Sequence, residues 1–500
     1  MLAQGQEKRF GQGLERAVGK PLVIALGKAW LWLMAKLAAW PWPSFPRKMP
    51  ELEYRISVST IPNTNRMTRI AAFLMAMLLA VAGLHGQEGF GHWLQEKEGA
   101  KIQPFMQLQL WSSYSMGQET YNPDSARYEP VEDRLNVMLR RMRLGFRTEP
   151  YEGLQFMVMG AYDLIGQDVM AAHIGTPNNG GLPRFGIWDA FFQWKLQPGK
   201  ERFNLTGGYF RPQFSRESIT SGWAVPSIEK AMSQTYIRKH LTGIGPGRAA
   251  GLNLGGLLLD EGRQLGLNYN LGVFNPLAIA AGGNSTGQAF SPLFVARGVV
   301  SIGQPEMETY RTSYDLNYYG QRKGISLGFG GAWQGRTARF DESYAFNTDL
   351  LLNWGPLNLD ADWVWMWREG QRELPDDIRR SFVAATQAGH VRLSYNLVAG
   401  EKYFLEPVFM LMHFTGARTL EGQADARAVG ASSGAEYTYD LGLNWHLNQR
   451  KLKLLLHYTW HAGEAGEAEP GFAGNAYFNQ NGLGPIRRGS WLGLGVNVLL

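Results

Sequence analysis

Tyr437 to Trp460 reads YTYDLGLNWHLNQRKLKLLLHYTW and contains two alternations joined by a turn. Tyr437, Tyr439, Leu441, Leu443, Trp445 and Leu447 alternate with Thr438, Asp440, Gly442, Asn444 and His446. After Asn448-Gln449-Arg450, Leu452, Leu454, Leu456, Tyr458 and Trp460 alternate with Lys451, Lys453, Leu455, His457 and Thr459. A period of two puts one set on each face of a strand, so each strand has an apolar, aromatic-tipped face and a polar or small one. Strands in soluble sheets average about five or six residues, whereas about ten are needed to cross a bilayer at a tilt. These alternations have the longer length. Elsewhere the apolar faces also end in Tyr or Trp, at Trp194, Tyr209, Trp333, Trp363 and Trp367, as an interfacial aromatic girdle requires. A secreted sandwich or solenoid is the competing reading, but it has no need of aromatics on the same face as Leu and Val. The expected fold is all-β, a transmembrane antiparallel β-barrel.

The same pattern runs from about Gln103 to the C-terminus. The last strand, Trp491 to Leu500, sets Leu492, Leu494, Val496, Val498 and Leu500 on one face. In such barrels short turns face the periplasm and long loops the exterior. Short turns are expected near 149–152, 198–200, 260–262, 320–323, 355–356, 399–401 and 448–450. Long loops are expected near 115–132, 165–185, 212–246, 275–307, 336–342, 369–385, 415–432 and 462–488. The two kinds alternate if Leu293 to Gly303, which itself has strand character, is placed inside the 275–307 loop. That gives about 16 strands, an even number in the open-channel range.

The chain has no Cys, which removes disulfides and thiolate metal sites. Its formal charge of +6 invites a nucleic-acid partner, but 11 of 49 basic and 4 of 43 acidic residues fall in 1–86. The rest carries 38 basic against 39 acidic, so any ion preference must come from where charges sit. Met67-Thr68-Arg69 followed by the apolar run Ile70 to Leu84 is expected to be a signal peptide over 67–86. Cleavage fits after Ala82 or after Gly86; a membrane-anchor helix is the alternative. Residues 1–66 then read as an upstream extension outside the mature protein, or as an amphipathic anchor, and 87–500 as the barrel.

Phe203 to Gly251 contains a strand, a long irregular stretch and a return strand. Between Arg211 and Arg248 stand six basic residues, Arg211, Arg216, Lys230, Arg238, Lys239 and Arg248, against Glu217 and Glu229. A loop this long in a barrel lies outside or folds inward, and inward folding makes it the filter of a pore. In Leu135 to Arg147 the apolar set Met142, Leu144 and Phe146 fixes the outer face and turns Arg141, Arg143 and Arg147 toward the lumen. Inward arginines favour anions, unless they pair with inward acids such as Asp163, Asp360, Asp362 or Asp440 and only stiffen the wall. Arg140 has outward parity, which calls for a bulge or an interfacial position. No His/Ser/acid grouping, metal-ligand spacing or phosphate loop stands out, so neither catalysis nor a cofactor is expected.

Several pieces, in order over roughly 101–320, resemble the phosphate-selective porin O/P family of Gram-negative outer membranes. They are Arg140-Arg141-Met142-Arg143-Leu144-Gly145-Phe146, Trp188-Asp189-Ala190-Phe191, Gly208 to Glu217 (GYFRPQFSRE), Arg248 to Gly251 and Leu271 to Asn275. The resemblance implies a sixteen-stranded trimeric porin with an inward-folded third external loop and a basic constriction. It also implies an aqueous diffusion channel in the outer membrane, with lipid and small anionic or polar solutes as partners. Phosphate-selective members look lysine-rich at the constriction, whereas this chain has mostly Arg there, with Lys230 and Lys239. A barrel scaffold or binding protein with a loop-plugged pore is the alternative.

Overall fold

A computed structural model of the protein describes residues 101–500, apart from 172–184, 244–245, 277–290, 374–378, 399–402 and 471–473. The expected extension over 1–66 and signal over 67–86 lie outside the described residues.

Sixteen antiparallel strands close into a barrel. In chain order they are β1 (Lys101–Met116), β2 (Arg134–Tyr151), β3 (Leu154–Ile165), β4 (Phe185–Lys195), β5 (Asn204–Phe210), β6 (Ala249–Leu259), β7 (Leu265–Asn275) and β8 (Leu293–Gly303). The second half is β9 (Lys323–Gln334), β10 (Glu342–Trp354), β11 (Leu357–Glu373), β12 (Arg379–Tyr395, continued by Leu397–Val398), β13 (Phe404–Thr415), β14 (Ala435–Asn448), β15 (Leu452–Glu464) and β16 (Ser490–Leu499). Each pairs with its sequence neighbours, and β1 closes the ring on β16 from Gln107↔Leu499 to Met116↔Ser490. A closed ring leaves no unpaired edge, which hydrocarbon would not tolerate. Among the described residues no helix is long and apolar enough to cross a membrane; the crossing elements are strands.

The alternation is borne out side chain by side chain. On β14, Leu441, Leu443 and Trp445 are exposed while Asp440, Asn444 and His446 are buried. A soluble protein would not leave so many large apolar side chains facing outward; a lipid-facing wall does.

Two expectations are corrected. Leu293 to Gly303 is a spanning strand, paired along its length with both β7 and β9. The alternation of a loop at 275–307 with a turn at 320–323 calls for a strand between them, but 304–322 connects β8 to β9 without entering the barrel ladder. It folds inward: Tyr310, Tyr314 and Leu316 are buried, and Tyr310 and Tyr314 bond to Asn270 (2.5 Å) and Asn268 (2.8 Å) on β7. The count stays at sixteen because one strand replaces another. The loop expected at 369–385 is shorter than that, since β11 and β12 continue as paired strands to Glu373 and from Arg379. Arg140 occupies a bulge: β1 pairs Gln109 with Arg141 and Leu110 with Leu139, and the side chain turns inside.

Candidate functional site: a basic constriction held by an inward segment

Residues 211–248 leave β5 and re-enter at β6, and between them cross the barrel. Arg216 bonds Asp349 on β10 (2.9 Å), and the Glu217 amide donates to Asp362 on β11 (2.9 Å). Farther on, Asn444 on β14 donates to the Pro226 carbonyl (2.7 Å) and Lys453 on β15 to that of Val225 (3.0 Å). The segment contains two helices, α1 (Arg216–Ile219) and α2 (Ser233–Thr242). Ser215 caps α1, its hydroxyl accepting from the Ser218 amide. The α2 helix buries Tyr236, Ile237 and Leu241 against inward Met410, Met412 and Phe414, with Tyr236 stacked on Phe414 at 3.8 Å. This apolar contact anchors the segment on one side of the lumen. Three of its charged side chains, Arg211, Lys230 and Arg238, meet Arg141 and Arg143 of β2 around one small cavity.

There, seven cations, Arg140, Arg141, Arg143, Arg211, Lys230, Arg238 and Arg248, gather about Glu229, Asp163 and Asp189, which take Arg140, Arg141, Arg143 and Arg248 in ion pairs, and Glu217 acts on Lys230 and Arg238 from farther off. Glu229 joins Arg140 (2.6 Å) and Arg141. Asp163 takes both ends of Arg143, and Asp189 takes Arg248 (3.1 and 3.2 Å). The Arg143 and Arg248 guanidiniums each lie 4.0 Å from the Trp188 ring centre. Arg211 donates to the carbonyls of Ile219 (2.7 Å) and Thr220 (2.9 Å), and the Lys230 ammonium donates to that of Thr220 (2.9 Å). Neither forms an ion pair among the described residues. Six of the nine proposed residues, Arg141, Arg143, Arg211, Lys230, Arg238 and Arg248, are thus brought together. Arg141, Arg143, Arg211, Lys230 and Arg238 line a cavity of about 40 Å³ with Trp188 and Trp223.

Electrostatics follow from that imbalance. Burial, then the neighbouring Arg248 and Arg238, pulls Arg211 well below the usual guanidinium range. Lys230 is pulled well below its ordinary value by burial and by Arg238. Arg238 falls to about 9 through burial and the charges of Arg248 and Arg141. Burial alone would raise Glu229, but Arg140 and Arg141 outweigh it and hold it at about 2.

Three expected members lie elsewhere. Arg216 is neutralised: Glu306 in the 304–322 connector takes it at both ends (2.7 and 2.8 Å), in addition to Asp349. Lys239 points away, donating to Ser432 (3.2 Å) in the loop between β13 and β14. Arg147 is exposed near the short-turn end of the barrel, beside Arg311 and Arg450. Sequence reasoning missed Trp188, Trp223 and Glu306. An indole beside clustered arginines is a usable signal for the first two, whereas the Glu306 partnership spans 90 positions.

Glu217, Asp360 and His390 offer three ligand atoms within 4.8 Å of one another. Arg392 bonds the same carboxylates, Asp360 at 2.9 Å and Glu217 at 3.4 Å, and puts a positive charge where a cation would sit. The grouping fits a structural ion network better than a metal centre.

No curated relative matches the sequence. Among solved structures the chain is similar to OprB of Pseudomonas putida at high pH, with 8% identity, TM-score 0.50, and coverage of 80% of this chain and 94% of that one. It is also similar to an anion-selective porin from Comamonas acidovorans (10% identity, TM-score 0.45, 80% and 100% covered). A third is the outer-membrane channel DcaP of Acinetobacter baumannii (11%, 0.43, 81% and 99%). At such identities the likeness is one of fold. The family model for phosphate-selective porins O and P matches residues 118–471, most of the barrel with its inward segment. The chain therefore belongs to the phosphate-selective porin O and P family, as a passive channel of the outer membrane.

Proposed function

We propose that the channel prefers small anions, phosphate-like ions among them, and selects them at Arg141, Arg143, Arg211, Lys230, Arg238 and Arg248. Buried Arg211 and Lys230, which donate to backbone carbonyls and form no ion pair among the described residues, carry this reading. A buried cation without a counter-charge is costly, and a passing anion supplies what is missing. Arginine forks suit oxyanions, and low-dielectric walls focus the field of a few charges although the whole body is near neutral. The chain acts without catalysis and assembles as a homotrimer, as the family resemblance implies. Reversal potential under a salt gradient tests the selectivity: the wild type is expected to pass chloride and phosphate over potassium, and Arg211→Ala with Lys230→Met to lose most of that bias. Unselective conduction in the wild type would discard the filter. A second reading, a plugged scaffold, draws on the inward connector 304–322; correctly folded barrel without conductance would favour it.

A further inference from the structure

Between the inward segment and the 304–322 connector lies a larger cavity of about 720 Å³. It shares Gln107, Met159, Arg211, Ser221 and Trp223 with the small basic cavity, so the two adjoin. It lies at the short-turn end, which in such barrels faces the periplasm.

Its walls differ in chemistry from the constriction. Arg147 at the end of β2, Arg311 in the connector and Arg450 in the β14–β15 turn all line it, and each of the other two acts on Arg147 electrostatically. One carboxylate, Asp315, serves two of them, at 2.9 Å from Arg311 and 3.4 Å from Arg450. The Nε of Arg311 is buried and has no hydrogen-bond partner among the described residues. Beside this basic rim stand half-buried Tyr318 and Tyr319, and exposed Gln155 and Gln321.

Each component matches part of one ligand class. Guanidiniums from three separate elements hold an oxyanion. Tyrosine rings offer a flat apolar surface to a sugar ring, and glutamine amides both donate to and accept from adjacent hydroxyls. A volume within the roughly 300–1,000 Å³ of small-molecule sites far exceeds what a bare ion needs. We propose that this vestibule binds sugar-sized organic anions, a phosphorylated or carboxylated monosaccharide. The anionic group sits on Arg147, Arg311 and Arg450, and the ring lies against Tyr318 and Tyr319. The proposal rests on the channel reading only for how such a ligand arrives.

The test uses chloride current through the refolded protein, with glucose 6-phosphate, glucose or inorganic phosphate added at the turn side. Glucose 6-phosphate is expected to half-block at a concentration about tenfold lower than either of the others, because it engages both rim and rings. Arg311→Gln with Arg450→Gln, both partly exposed positions, is expected to raise that concentration about tenfold and to leave the chloride current intact. Equal block by inorganic phosphate, or an unchanged double variant, would overturn the proposal. Should the wild type fail to conduct chloride, the channel reading fails by itself, and calorimetric titration of the folded barrel with glucose 6-phosphate decides the vestibule. Binding that the double variant loses supports the site, and no binding in the wild type removes it.

Discussion

Arg211 and Arg216 sit five positions apart in one segment and do opposite things. Arg216 is locked between Glu306 and Asp349, which outweigh its burial and hold it well above the usual range. Arg211 faces the shared boundary of the two cavities and binds backbone carbonyls. Arg216→Ala is expected to destabilise the barrel by about 3–5 kcal/mol, since it strands buried Glu306 and leaves Asp349 with Arg297 as its remaining arginine. Arg211→Ala should move the urea midpoint little and lower anion selectivity. The paired urea titrations check both, and equal destabilisation would refute the contrast. A pH effect follows from Arg238 at about 9 and Lys239 at about 8, the latter lowered by burial, Arg368 and Arg339. Above about pH 8 the folded chain releases these protons while the unfolded chain, with Lys near 10.4, keeps them, so stability rises with pH through that window. The proposed anion selectivity is expected to fall over the same range, as Arg238, lowered to about 9, gives up its charge. The urea midpoint and reversal potential at about pH 7 and about pH 10 should therefore move in opposite directions, and a falling midpoint would refute the first half. At this scale parity told which side chains point inward, as for Arg141 and Arg143. It could not tell which of them meets a carboxylate, because partners such as Glu306 and Asp349 are fixed by the closed ring and not by neighbouring sequence.

At the scale of elements, the strand pattern was legible because the period-two signal is imposed by lipid on one face over ten or more residues. It failed at 304–322 for a physical reason. Part of that connector folds into the lumen and buries Tyr310 and Tyr314, so it carries tyrosines there and at Tyr318 and Tyr319 just as a girdled strand would. Composition alone cannot separate an aromatic stretch facing lipid from one facing the interior. Two glycines admit the inward pieces. A side chain at Gly330 on β9 would come 2.3 Å from the Phe214 carbonyl, and one at Gly255 on β6 would come 2.0 Å from the Tyr310 hydroxyl. Gly330→Leu is therefore expected to cost about 1–3 kcal/mol by overpacking and to dislodge the start of the basic segment. In single-channel recordings it should give a larger, less selective conductance. An unchanged channel would show that the segment accommodates the side chain without moving.

On the whole-molecule scale the chain from 87 on is almost charge-neutral, so the proposed anion preference has to come from arrangement. Charges at the exposed turn-end rim are screened within a Debye length of about 8–10 Å at ordinary salt, whereas buried cations are screened far less. Anion-to-cation permeability should therefore fall only modestly as salt rises, while block by a sugar phosphate at the rim should weaken steeply. Parallel salt series measure both, and a steep loss of the first would move the selective charges from the constriction to the surface. The Arg216–Glu306 pair has one more consequence, and it concerns the order of assembly. Arg216 follows β5, Glu306 follows β8, and their shared neighbour Asp349 lies on β10, so the pair is complete only when the middle third of the wall has formed. A finished ring would oppose the entry of a segment this polar and this tightly fitted. The expected order is therefore that the seam between β1 and β16 closes last, around contents already in place. A chain whose contents do not pair in time should stall as an open sheet, exposed to proteases before it ever becomes a cylinder.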